Sequence, residues 1–347
     1  MHVIQQRVSL RDVAAAAGVS VGTASYALND NPLVRPATRE RVIAAAHRLD
    51  YVPDRNATRL RRGRSDCIAI GYTSRSHEIA NGAFYAFVVR GMTEELENHG
   101  YTMRFVRLDE EGPLPPLRIA SRRQLNGLDI DGLLVLNWQD PALMQRLCGL
   151  GVPLVAVDAS GAYPDVPSVD SDDRGGVASA IDYLVGLGHR RIAFLNGSLD
   201  FPFEREALAG YLEACERHGL LVEPRLLRTT DFSVAGGRAA MTEVLRRGAP
   251  TAVFAVDDES AAGAIQAIHD AGLRVPDDIS VVGMDDVPLA AALRPALTTV
   301  RIDTEELGRR AVDLLLIIIA GPQLSPAHVV LPTRLVVRDS AAPPPPQ

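Results

Sequence analysis

The sequence predicts an all-α helix-turn-helix domain at the start of the chain, followed by a hinge and a two-lobed α/β body with parallel sheets. Three observations carry this. Residues 10–29, LRDVAAAAGVSVGTASYALN, place helix and turn signals in the order of that motif. Charge is divided unevenly along the 347 residues: 1–65 hold eleven arginines against five acids, about +6, while the whole chain carries −7, so about −13 falls on the rest. From Ser65 onward, strand-like and helix-like runs alternate for some 270 residues. A basic head on an acidic body implies nucleic acid as the partner of the head and something else as the partner of the body.

In the head, Leu10, Val13, Ala14 and Ala17 follow the i, i+3, i+4, i+7 spacing of one apolar helix face. Gly18 stands where that helix must stop, at a position suited to a left-handed residue. Ser20 offers an N-cap for a second helix, 21–28, with Ala24 and Leu28 inward and Val21, Gly22, Ser25 and Tyr26 outward, toward base edges. A third helix is expected over 36–49, with Pro36 at its first position and Val42, Ala46 and Leu49 as its inner stripe. Pro53 disfavours helix at the residue before it and ends the domain, set at 1–53. The basic stretch 54–65, with Arg55, Ala57, Arg59, Leu60, Arg61, Arg62 and Arg64, has too few apolar residues for a core and reads as a hinge or a solvated linker.

In the body, strands are expected at 68–72, 103–108, 132–136, 154–157, 192–195, 253–256 and 279–283, and helices at 84–99, 204–218 and 259–271. This alternation argues for two parallel-sheet lobes. They are set at 66–163 plus 302–328 and at 164–301 plus 329–340, with the proline-rich 341–347 expected to be disordered.

Other classes find little support. Cys67, Cys148 and Cys215 are far apart, and no CxxC or His/Cys cluster points to a metal. There is no Walker loop and no GxGxxG after a strand, so neither a cofactor nor an enzyme is expected. His189, in LGHRR, follows a helix and reads as its cap. The longest apolar run, 314–320, is too short to span a bilayer. The opening MHVIQQRVSLRD lacks the apolar stretch of a signal peptide, so a cytoplasmic, nucleoid-associated location is expected.

With these residues in view, the chain resembles the lactose-repressor (LacI) family of bacterial regulators over about residues 8–340. The 10–29 segment resembles the family's opening, and TRERVIAAAHRLDYVPDRNATRL its third helix and hinge. LVGLGHRRIAFLNG, AVDDESAAGAIQAIHDAGLRVPDDISVVGMDD, LTTVRIDTEELGRRA and PTRLVVRDS resemble its body in order. The resemblance implies a hinge helix and a body like a periplasmic sugar-binding protein. It also implies a homodimer on palindromic double-stranded operator DNA, controlled by a sugar-like or other metabolite and most often repressing.

For DNA, the resemblance places Val21, Gly22 and Tyr26 at base-reading positions, Tyr26 standing where arginine is often found. Tyrosine offers one hydroxyl and a ring where arginine would read guanine bidentately. Thr23, Ser25 and Asn29 are either phosphate or base contacts or capping and packing residues. Leu60 is either a wedge driven into the minor groove or a core contact of the body, and Arg55 and Ala57, before it in the hinge, are further candidates for DNA contact. Arg35 replaces a small capping residue before Pro36.

For the effector, the resemblance implies a site between the lobes at the carboxyl ends of the strands. Asp158 follows the strand PLVAV and Asp285 the strand ISVVG, both placed to accept hydrogen bonds from ligand hydroxyls or amines. Asp257 matches a polar position. Phe232 is either a stacking ring or an ordinary core residue, and Tyr72 and Phe84 are candidates on the first lobe. Two departures stand out. Ala207 occupies the place of the arginine in the family's R-x-x-G-aromatic segment, with Arg205 as the candidate substitute, and Ile302 stands where several members have glutamine. A cavity poor in polar groups is therefore expected. The loss at Ala207 also motivates a second reading, a DNA-binding regulator whose body is ligand-independent and serves dimerisation or protein contacts.

Overall fold

The structure, a computed structural model, describes residues 8–28, 31–51, 65–72, 83–108, 130–137, 140–321 and 327–346. The chain divides into two units, the division falling after Ser65.

The first unit holds α1 (Leu10–Ala17), α2 (Val21–Leu28) and α3 (Pro36–Arg48). Val13, Ala14, Ala17, Ala24, Ala27, Val42, Ala45 and Ala46 form its core, with Leu10, Leu28 and Leu49 packed against it. The small side chains let three short helices meet closely. At the start of α1 the Ser9 amide donates to the Asp12 carboxylate at 2.8 Å. At its end Gly18 takes the left-handed conformation, φ 64°, which only glycine adopts freely. The turn then places Ser20 Oγ where it accepts from the Thr23 amide at 3.1 Å, the expected cap of α2. Arg35 before α3 makes no side-chain cap.

The second unit contains two six-stranded sheets among the described residues. In chain order its elements are β1 (Cys67–Tyr72), α4 (Ala83–Asn98), β2 (Thr102–Arg107), β3 (Gly132–Leu136), α5 (Pro141–Gly149), β4 (Leu154–Val157), β5 (Ser168–Ser171) and α6 (Asp173–Gly186). There follow β6 (Ile192–Asn196), α7 (Pro202–Arg217), β7 (Leu227–Thr229), α8 (Val234–Arg247), β8 (Ala252–Ala255), α9 (Asp258–Asp270) and β9 (Ser280–Asp285). The last are α10 (Pro288–Ala292), β10 (Thr298–Arg301), α11 (Thr304–Ala320), β11 (His328–Leu331) and β12 (Arg334–Val336). The sheet orders are β11-β5-β4-β3-β1-β2 and β12-β10-β9-β8-β6-β7. Every pair is parallel except β10–β12. Parallel strands must be covered on both faces, which explains the continuous apolar runs of β1, β3, β6 and β8.

Three expectations need correction. β5 and β11 both belong to the first sheet, so the chain passes between lobes after Ser171 and after Leu331, later than the expected 163 and 328. The tail is not loose over its described part: the Ala342 carbonyl accepts from Ser280 Oγ at 2.9 Å and its amide donates to the same oxygen at 3.0 Å. His189 does more than cap α6: its amide closes the helix on the Leu184 carbonyl at 3.1 Å, and its side chain is a buried strut, Nε2 2.9 Å from the Ala342 carbonyl and Nδ1 2.9 Å from Thr251 Oγ1. Burial lowers its pKa and favours the neutral ring. Since a carbonyl only accepts, Nε2 carries the proton and Nδ1 accepts from Thr251.

Candidate functional site

On α2 the outward face is smaller than expected. Val21 is 43% and Tyr26 51% exposed, a large amount for apolar and aromatic side chains in so small a domain. Gly22 lies between them, and a methyl there would meet only Ser20 Oγ at 3.8 Å, so the protein itself has room for a side chain at that position. Thr23 Oγ1 lies 2.8 Å from Ser20 Oγ. Ser25 departs from the expectation: it is 6% exposed and turned into the domain. An eight-residue helix seated between two others buries more than its apolar stripe, and a serine is small enough to go in. Asn29, Arg55, Ala57 and Leu60 lie outside the described residues, as does the expected hinge up to Arg64.

Between the two sheets of the body lies a cavity enclosing about 620 Å³, part of it open to solvent. Phe84, Asp158, Phe232, Asp257 and Asp285 line it, as do Tyr85, Asp173, Phe203, Glu204, Ala207, Val256, Glu259, Met284 and Ile302. Tyr72 is not among them; its ring meets Phe105 edge-on, with centroids 6.4 Å apart. Nor is Arg205, which donates to the Leu199 carbonyl at 2.8 Å on the surface. A helix turns 100° per residue, so Glu204 and Ala207 share the inner face of α7 and Arg205 points away. Ala207 is 4% exposed and brings only a methyl group to the cavity.

Two strand-end aspartates are built alike. Asp158 follows β4 with φ 60°, and Asp285 closes β9 with φ 105°. Both conformations are unfavourable for residues with a side chain and persist only where neighbours impose them. A second, buried aspartate braces each turn. Asp170 Oδ1 accepts from the amides of Ala159 at 2.8 Å and Ser160 at 2.7 Å, while its Oδ2 accepts from Ser168 Oγ at 2.6 Å. Asp258 accepts from Thr299 Oγ1 at 2.6 Å and from the Val287 amide at 2.9 Å. Phe232 is also left-handed, φ 60°. Its ring sits over Gly197, where a Cβ would lie 2.4 Å from the ring edge and 2.7 Å from the Glu204 carboxyl carbon.

The electrostatics of the cavity are one-sided. Six carboxylates line it, and no arginine or histidine does so among the described residues. The wall is largely aromatic and aliphatic, as Ala207 and Ile302 suggest, and among its described residues the charged groups are all carboxylic acids. Burial pushes Asp158 up to about 6, against the lowering effect of its hydrogen bond from the Tyr85 hydroxyl. Asp257 is likewise pushed up to about 6 by burial. Glu204, Asp173 and Asp285 rise well above the carboxylate range, first through burial and then through neighbouring carboxylates, led by Asp257 for Glu204, Asp158 for Asp173 and Asp258 for Asp285. The Tyr85 phenol is raised by burial and by the charge of Asp158. Across the cleft the Ala83 amide at the start of α4 donates to Glu259 Oε1 at 3.3 Å, linking the lobes.

Tyr85, Asp173, Phe203, Glu204 and Glu259 were not foreseen. Asp173 follows β5, so the strand-end rule that selects Asp158 and Asp285 reaches it once β5 is recognised. Glu204 stands three residues before Ala207 and follows from helical spacing. Gly210 and Tyr211 prove to be packing residues. A Cβ at Gly210 would lie 2.3 Å from the Arg174 carbonyl oxygen, and Tyr211 stacks on Phe194 at 4.7 Å.

Residues 9–54 match the family model "Bacterial regulatory proteins, lacI family", and residues 181–341 match that of a periplasmic binding protein-like domain. The chain is 36% identical over 340 residues to the HTH-type transcriptional regulator CelR of Thermobifida fusca, covering 97% of this chain and 99% of that one. It is 34% identical over 338 residues to the ribose operon repressor of Escherichia coli (strain K12), covering 96% and 99%. Among solved structures it is similar to the lac repressor dimer bound to operator and the anti-inducer ONPF. The TM-score there is 0.86 at 30% identity, over 97% of this chain and 100% of that one.

Proposed function

The chain belongs to the lacI family of bacterial regulatory proteins, and from that premise we propose that it is a repressor that binds a palindromic operator as a homodimer and is controlled by a small metabolite held between the lobes of its body. It is a DNA-binding transcriptional regulator and not an enzyme. No described helix is long and apolar enough to cross a membrane.

At the DNA, Val21, Gly22 and Tyr26 face the base edges. Two copies of α2 about one helical turn apart then fit half-sites of opposite orientation. Arg55, Ala57 and Leu60 of the hinge are assigned to the minor groove, and Asn29 and Thr23 to the backbone. The relatives named for ribose and for an anti-inducer support a sugar or related metabolite as effector.

The observation that carries the effector half is the pair of braced strand-end aspartates, Asp158 and Asp285, one from each lobe, facing one cavity. A body that serves only dimerisation gives no reason for buried carboxyl groups from both lobes to converge on one cavity. The test is fluorescence anisotropy of the full chain on its own upstream DNA at fixed salt, alone and with a panel of sugars, amino sugars, polyols and nucleobases. Specific binding that one compound shifts about 5–150-fold supports the reading, corresponding to about 1–3 kcal/mol of coupling. Specific binding that no compound shifts returns the body to a ligand-independent role.

A further inference from the structure

We propose that the effector is a cation, a small molecule carrying a protonated amine that Asp257, Asp285 and Glu204 receive against the rings of Phe203 and Phe232. This rests on reading the cleft as the effector site and narrows it.

The first argument is charge. Six carboxylates face the cavity without a basic side chain among the described lining residues. Position 207 contributes a methyl group, and Arg205 is turned to the surface. A neutral sugar can donate hydrogen bonds to these oxygens, but it brings no charge that would let the buried acids ionise. An anion opposes their ionisation further. Protonation relieves the penalty in the empty cleft, and a cation relieves it with the carboxylates ionised.

The second argument is an orphaned oxygen. Asp257 is buried, and its Oδ1 accepts from the Ser260 amide at 2.7 Å, capping α9. Its Oδ2 is buried with no hydrogen-bond partner. The contrast with the bracing aspartates is informative. Asp170 and Asp258 do not face the cavity, and each uses both carboxylate oxygens. The unmet acceptor at Asp257 belongs to the cavity wall, and a buried carboxylate oxygen is not left unpaired unless something else pairs with it.

The third argument is the aromatic part of the wall. Phe201, Phe203 and Phe232 form a cluster with centroids 5.3 to 6.3 Å apart, and the last two line the cavity. Aromatic faces attract ammonium groups, more strongly where water is excluded. Carboxylates and rings around one space are the pairing that recognises an amine with an apolar or sugar-like body.

The experiment is calorimetric titration of the full chain at neutral pH with matched pairs, glucosamine against glucose and galactosamine against galactose, together with putrescine and spermidine. The proposal expects at least one amine to bind saturably and any amino sugar that binds to exceed its neutral partner at least about tenfold, equivalent to about 1.4 kcal/mol. Asp285→Asn and Asp257→Asn should each weaken the amine at least about tenfold. Asparagine tolerates the left-handed backbone at 285 and still caps α9 at 257, so both variants should fold, which their melting temperatures check. A neutral sugar that binds as tightly as its amine, or a panel in which no amine binds, overturns the proposal. In the first case a neutral sugar that also shifts the operator complex leaves the effector reading standing. Silence from every compound, neutral or cationic, removes its support as well.

Discussion

The DNA-reading helix and the effector cleft do opposite things with their side chains. On α2 the residues assigned to function are exposed, adjacent in sequence and uncharged, and the domain beneath them is complete without them. In the cleft the corresponding residues are buried, come from six or more segments and include acids that no basic side chain of the described lining offsets. The first surface waits for a partner at no cost to its own fold. The second is paid for in stability until a ligand arrives. A change at the head should therefore alter binding and spare stability, whereas a change in the cleft should alter both, often in opposite directions.

The largest expected difference is the response to salt. A head that contacts about 6–10 phosphates should lose roughly 10³–10⁵-fold in DNA affinity between about 50 and 200 mM salt. Effector binding, shielded within the cleft, should change far less over the same range. Anisotropy and calorimetry across a salt series check this, and a flat DNA response would break the contrast at its strongest point.

Next in size is Tyr26→Ala. One base contact is worth about 1–3 kcal/mol, so operator affinity should fall roughly 5–150-fold with the melting temperature unchanged. Its neighbour Ser25 is the control within the head. Ser25→Val, which puts a bulkier apolar group at a buried polar position, should lower the melting temperature of the head. Thermal melts run beside the operator titrations separate the two.

The cleft predicts a pH dependence of the unusual sign. Asp158 and Asp257 hold protons up to about pH 6 in the folded chain, against an ordinary aspartate value of 3.8. The folded state thus binds more protons than the unfolded one between about pH 4 and 6. Stability contributed in this way is present at the acid end, falls as pH rises through that window and is level above it. Asp257→Asn should be more stable than the parent at pH 7 and should lose less on going from about pH 4.5 to 7. Equal slopes for the two proteins would mean that this carboxylate is not under strain. The smallest expected effect is Arg205→Ala, which should change neither effector affinity nor stability by more than about 0.5 kcal/mol. A large loss of ligand binding there would restore Arg205 to the site.

How far each region was legible in the sequence follows from the same contrast. In the head every relation is local, so helix spacing, Gly18 and Ser20 gave the three helices and their turn. Only Ser25 was misplaced, because burial on so short a helix is decided by side-chain size as well as apolar character. In the body seven strands were legible, while β7, β10, β11, β12 and, with the largest consequence, β5 were not. Its sequence, Ser168 to Ser171, is short and half polar because Ser168 and Asp170 tie down the turn that carries Asp158. Missing β5 moved the lobe crossing and hid Asp173. The strand-end rule found Asp158 and Asp285, and the family resemblance Asp257, but Tyr85, Glu204 and Glu259 enter from helices whose neighbours are set only by the fold. The prolines at the end suggested a loose tail because composition does not reveal that His189 and Ser280 hold the Ala342 backbone.

The central claim is that head and cleft are separate sites joined by one equilibrium. It is tested most directly by titrating the compound that shifts the operator complex into the protein alone and into the protein saturated with operator. Reciprocity requires the ratio of the two ligand affinities to equal the ratio of operator affinities with and without ligand, within the expected 5–150-fold range. Ligand affinity that is the same with and without operator would show that the cleft does not govern the head.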